Sequence, residues 1–138
     1  DNNLGGSLPT QFGLLTKLET LSLSGNDLGG SLPSQLGLLT ALKQLWLFDN
    51  DLSGSVPSQL GLLTALKTLD LSINDLSGSL PSQLGKLDPD TCAIGIAAGD
   101  TNSYDCPLPT LAAKCSANLE CVANPPSTPP SPSSPPSA

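Results

Sequence analysis

The chain has 138 residues and a net charge of −7, with five lysines and no arginine set against twelve acidic side chains. That length holds one small domain and a tail, and that charge repels nucleic acid and anionic lipid, which removes both as partners. With no histidine and no apolar stretch long enough to cross a bilayer, imidazole chemistry and a helical membrane span fall away as well.

From its first residues the chain repeats itself with a period of 24: Leu4, Leu28, Leu52 and Leu76; Asn2, Asn26, Asn50 and Asn74; Pro9, Pro33, Pro57 and Pro81; Gly13, Gly37, Gly61 and Gly85. A fixed short period in a small chain means one structural unit stacked on copies of itself, so function is sought on a face or at an end. Asp1-Asn2-Asn3-Leu4 aligns with Asp49-Asn50-Asp51-Leu52, so the first copy is expected to open in mid-repeat with no N-terminal cap. An uncovered leucine end is a liability. It is expected of a fragment of a longer protein, of a subunit stacked on a neighbour in a filament, or of a frayed terminus, and the fragment is the plainest of these.

Each unit contains a stretch such as LETLSLSGN, LKQLWLFDN or LKTLDLSIN. Leu45 and Leu47 alternate with Trp46, the period of a short strand with one buried and one exposed side. One strand per repeat pairs only in parallel, and the asparagine closing each strand falls at one stacked position, where its amide can bond backbone groups left open by the turn. DLGGSLP, DLSGSVP or DLSGSLP follows, where glycine and proline turn the chain away from the first sheet. The SQLG segment with LLTALK then has helical spacing for one or two turns, predicting a short helix or 3₁₀ segment opposite the strands. Phe12 sits at the position of Leu36, Leu60 and Leu84 and is assigned to the core.

Outward positions on the first sheet are Thr20, Ser22 and Ser24, then Gln44, Trp46 and Phe48, then Thr68, Asp70 and Ser72. Trp46 is the one tryptophan and Phe48 one of two phenylalanines. Stacking in register sets Ser22 and Asp70 beside Trp46, and Ser24 and Ser72 beside Phe48. Two rings facing water are candidate anchors for a peptide or platforms for a sugar, which makes Trp46, Phe48, Gln44, Ser22, Asp70 and Ser72 the candidate ligand-binding set. Singly exposed aromatics are also common on strands, the plain alternative. Asp27, Asp51 and Asp75, with Asp49 near them, are expected to form a stacked series. A hard cation such as calcium would bridge it, but a soluble rim is the simpler reading, so no metal or cofactor is assigned. Lys17, Lys43 and Lys67 suit a solvated edge better than a catalytic site, and no nucleophile arrangement accompanies them, so the chain is not expected to be an enzyme.

Beyond the regular repeats come Cys92, Cys106, Cys115 and Cys121. An even number in one region, without closely spaced pairs, favours disulfides in an oxidising, extracellular compartment over zinc. Three pairings exist. Cys92 with Cys106 and Cys115 with Cys121 closes local loops, and the others stay open. NSYDCPLP, from Asn102 to Pro109, aligns with NDLGGSLP from Asn26, marking a degenerate fifth repeat whose strand Ile94 and Ile96 would supply. Residues 1–87 are thus read as repeats, 88–124 as a disulfide-stapled cap over the last exposed leucines, and 125–138 as a tail.

In that tail Pro125, Pro126, Pro129, Pro130, Pro132, Pro135 and Pro136 alternate with Ser127, Thr128, Ser131, Ser133, Ser134 and Ser137. No core can form, and the backbone is expected to be extended polyproline II.

The repeated LxxLxLxxNDLSGSLPSQLG of residues 4–87 resembles the leucine-rich repeat family in its plant-type version, marked by the LSGSLP element. The resemblance implies an α/β solenoid with a concave strand face, a second, smaller strand near LSGSLP, and a C-terminal cysteine cap. Family members usually bind peptides, proteins or wall polymers and are rarely enzymes. The Ser-Pro tail resembles hydroxyproline-rich wall glycoproteins, so the whole layout is similar to leucine-rich-repeat extensins of plants and green algae. That likeness makes the prolines, serines and threonine just named candidate O-glycan sites. Two functions follow: a structural component of a wall, matrix or surface filament, or a recognition module working through Trp46 and Phe48. An ice-binding face ranks third, because the middle strand interrupts a regular Thr or Ser array.

Overall fold

The computed structural model describes residues 2–87, 90–94, 101–105 and 121–122. Its strands are β1 (Gly5–Ser7), β2 (Thr20–Ser22), β3 (Asp27–Ser31), β4 (Gln44–Trp46), β5 (Asp51–Gly54), β6 (Thr68–Asp70), β7 (Asp75–Gly78), β8 (Thr91–Ala93), β9 (Ser103–Asp105) and β10 (Cys121–Val122). Four 3₁₀ turns, Thr10–Leu14, Ser34–Leu38, Ser58–Leu62 and Ser82–Lys86, lie opposite β2, β4 and β6 and close the coils. One parallel sheet has the order β2-β4-β6-β8, and a second has the order β1-β3-β5-β7-β9-β10.

Alternation in the first sheet buries Leu21, Leu45 and Leu69, which join Leu36, Leu39, Leu42, Leu47, Leu52 and Leu76 in one continuous leucine core. The most N-terminal coil is less covered: Leu4 and Leu15 are each 48% exposed, whereas Leu52 and Leu63, their counterparts two coils on, are 0% exposed.

Each 3₁₀ turn follows a proline whose fixed φ of about −70° suits a turn entry. The turns stack so closely that a Cβ on Gly37 would lie 2.5 Å from the carbonyl oxygen of Gln59, and one on Gly61 would lie 2.5 Å from that of Gln83. Glycine recurs every 24 residues there because one coil's backbone occupies the next coil's side-chain space.

The two sheets pair differently. In the first, Leu21 faces Leu45 and Leu45 faces Leu69, an offset equal to the sequence period. In the second, Gly5 faces Asp27, Gly29 faces Asp51 and Ser53 faces Asp75, an offset of 22. Each coil therefore slips two residues along the second sheet relative to its neighbour. Equivalent residues there are staggered, and the strands run oblique to the stack.

Asparagine joins the two registers. Asn74 Oδ1 accepts from Leu52 N in β5 at 3.1 Å, while its Nδ2 donates to the carbonyls of Leu47, Leu71 and Ser72 at 3.0, 3.2 and 3.1 Å. Asn50 repeats the pattern one coil earlier. The residue before each asparagine takes a left-handed backbone: Gly25 at φ 66°, Asp49 at 59° and Ile73 at 52°. A β-branched side chain in that region is strained.

Three expectations are corrected. The second sheet is the larger one, because strands of three to five residues form over the LGGS and LSGS segments and two more come from 103–105 and 121–122. The fifth-repeat strand is Thr91–Ala93, with Cys92 facing Leu69 and Ile94 buried just past the strand's end. The alignment shifted because one residue is lost before the strand, 91 − 68 = 23 against 24, and five are inserted between strand and asparagine, 102 − 91 = 11 against 74 − 68 = 6. The aspartates, finally, form no facing row: the stagger sets Asp51 opposite Gly29 and Asp75 opposite Ser53.

The likeness of Asn102 to the ladder asparagines holds. Its Oδ1 accepts from Leu76 N at 2.7 Å and its Nδ2 donates to Leu71 O at 2.9 Å. Tyr104 then fills a leucine position, fully buried, its hydroxyl donating to Ile94 O at 2.9 Å. Cys92 is disulfide-bonded. Ile96, Cys106, Cys115 and the tail from Pro125 onward lie outside the described residues.

Candidate recognition surface

Three strands of the first sheet build the surface by alternation. Since β2, β4 and β6 pair at the sequence period, one outward row reads Thr20, Gln44, Thr68 and the next reads Ser22, Trp46, Asp70, Ala93. The ladder continues past the strands, with Leu23 N donating to Trp46 O and Leu47 N to Asp70 O, each at 2.9 Å. That continuation sets Ser24, Phe48 and Ser72 in the third row.

Trp46 is 37% exposed and is the large ring on this face open to solvent. Phe48 is half-buried, and Ser72 is 8% exposed. Ser72 bonds back to Asp70: its N–H and its hydroxyl both donate to Asp70 Oδ1, at 3.1 and 2.6 Å. Asp70 is thereby fixed beside the indole, and its Oδ2 accepts no bond from a described residue. Gln44 is exposed and accepts from the Thr20 hydroxyl at 3.0 Å. Ser24 Oγ is buried with no partner among the described residues.

The six candidate residues therefore share one face. Ser22, Gln44, Trp46 and Asp70 present polar or aromatic surface, Phe48 is partly withdrawn, and Ser72 is buried and bonded to Asp70. Along the sheet's entry edge the backbone ladder lines up Glu19, Lys43, Lys67 and Asp90. Glu19 and Lys43 form an ion pair at 2.8 Å with both side chains more than half exposed. Such a pair contributes little to stability but cancels a charge at the rim. Among the described residues no group of three or more acidic or cysteine side chains converges as a metal site.

A second surface escaped sequence reasoning. Leu14, Leu38 and Leu62 are 78%, 53% and 56% exposed on the 3₁₀ side, whereas Leu39 and Leu63, the second leucines of the two inner Leu-Leu pairs, are 0% exposed. The signal was Lys86, the polar residue that replaces the first leucine in the fourth copy.

The sequence profile of the leucine-rich repeat matches residues 17–39, 41–63 and 65–87, half of the chain. The chain belongs to the leucine-rich-repeat family. Its fold is similar to that in a crystal structure of the BIR3–SERK2 complex from Arabidopsis thaliana, at 42% identity and a TM-score of 0.62 over 80% of this chain and 56% of that one. It is likewise similar to PEPR1 in its complex with AtPEP1, at 32% identity and a TM-score of 0.72 over 79% of this chain and 15% of that one. A plant ice-binding protein shares 34% identity at a TM-score of 0.65, over 76% of this chain and 33% of that protein. This leucine-rich-repeat chain thus spans just over half the length of one such relative and a third or less of the others. Among curated proteins none matches significantly.

Proposed function

We propose that this leucine-rich-repeat chain is a non-catalytic, extracellular recognition module that captures a peptide or protein segment on the face of its four-stranded sheet. The observation that carries this reading is Trp46, an exposed indole in register between Ser22 and Asp70. An aromatic ring on a rigid sheet supplies contact area at small entropic cost and is the residue type that dominates binding energy at interfaces. Similarity to chains solved together with a partner, BIR3 with SERK2 and PEPR1 with AtPEP1, supports it. The regular array that an ice surface would match is interrupted by Gln44 and Trp46.

The wall-scaffold reading rests on the composition of residues 125–138 and is compatible with the first. Extended by O-glycans on its prolines and serines, the tail would hold the module in a wall or matrix while the sheet face stays free.

The test is a peptide library selected on the folded chain and measured again on Trp46→Ala. Loss of affinity by tenfold or more, about 1.4 kcal/mol, with an unchanged unfolding midpoint is expected. Selected peptides that bind the variant equally well would move recognition off this face.

A further inference from the structure

We infer that the sheet face at Trp46 and Asp70 selects a guanidinium, so that the captured segment carries an arginine at this point. The inference rests on the recognition reading above and names the chemistry of its central contact.

Three observations lead there. Trp46 and Asp70 are register partners on neighbouring strands, which stand roughly 4.8 Å apart, so a flat cation lying on the indole reaches the carboxylate beside it. Asp70 is also oriented in advance: both Ser72 donors hold Oδ1, and Oδ2 accepts no bond from a described residue. The row's other members, Ser22 and Ala93, carry no charge, so the local field is that of one carboxylate.

The surroundings favour a cation too. The chain's net charge is −7, which draws basic partners and repels acidic ones. Of the nearby lysines, Lys43 is paired with Glu19. Lys67 lies three residues before Asp70, about 10 Å along the strand, a separation at which physiological salt screens its effect. Arginine fits better than lysine, because a planar guanidinium stacks on the ring while its N–H groups point sideways to an acceptor. An ammonium meets one partner or the other.

The chain's one tryptophan gives a direct readout. The indole N–H resonance of the folded chain is followed by NMR during titration with a blocked glycine peptide carrying a single arginine, and with its citrulline twin, a neutral isostere. The arginine peptide is expected to shift the resonance with affinity roughly tenfold above that of citrulline. Asp70→Asn, which keeps the Oδ1 acceptor for Ser72 and removes only the charge, is expected to erase that difference. Equal binding of the two peptides, or an unchanged preference in Asp70→Asn, overturns the inference. Library peptides that depend on Trp46 but lack arginine would overturn it while leaving the recognition reading standing. Peptides indifferent to Trp46 would remove both.

Discussion

The two sheets are built from the same repeats and pair by different rules. In the four-stranded sheet the offset equals the sequence period, so like residues stand beside like and a row across coils can be read straight from an alignment. The six-stranded sheet slips by two residues per coil, so like residues stand apart and the aspartates never meet. A composite surface is therefore available on one side and denied on the other. Both sheets hang on the asparagine ladder, which bonds strand ends of the first sheet through Nδ2 and a strand N–H of the second through Oδ1.

Breaking that junction is expected to have the largest effect. Asn74 is 1% exposed, and Asn74→Ala leaves the buried Leu52 N–H without its acceptor and takes one of two donors from each of the Leu47, Leu71 and Ser72 carbonyls, a loss of about 3 kcal/mol in chemical denaturation. Asn26, half-buried and bonded to an exposed Leu4 N–H, should cost about 1 kcal/mol when changed to alanine. Equal losses would mean that the ladder does not couple the sheets.

Forcing the coils apart comes next. Gly61→Ala drives a methyl against the Gln83 carbonyl and should destabilise by about 2 kcal/mol. Hydrogen exchange should rise first in the flanking 3₁₀ turns, Ser58–Leu62 and Ser82–Lys86, and leave the β4 and β6 amides protected. Uniform loss across both sheets would show that the turns do not yield separately.

The smallest effect runs the other way. Ile73→Gly relieves the left-handed backbone at φ 52° and should raise stability by about 1 kcal/mol. A loss instead would show that the half-exposed isoleucine packs usefully at the point where the chain leaves the first sheet.

Much of this was legible beforehand. The alternation around Trp46 placed β4, the recurrent proline placed the turn entries, and Asn102 announced a fifth coil despite a longer spacing. The β8 strand was misplaced toward Ile94 and Ile96 because a lost residue and an insertion fall on either side of the expected site, and periodicity cannot locate gaps. Phe48 and Ser72 looked as open as Trp46 in the pattern. Their withdrawal depends on how each strand end curls into the asparagine turn, which alternation does not encode.

By itself the sequence determined the coil, its leucine core, the residues that face outward from the first sheet, and the positions where only glycine fits. Those follow from local periodicity and from side-chain size repeated at a fixed spacing. Tertiary structure alone decided the two-residue slip of the second sheet, the burial of Ser72 against Asp70, and how far Phe48 is withdrawn. These depend on hydrogen bonds and contacts between coils, where the register is chosen by which backbone groups the neighbouring coil leaves to be satisfied.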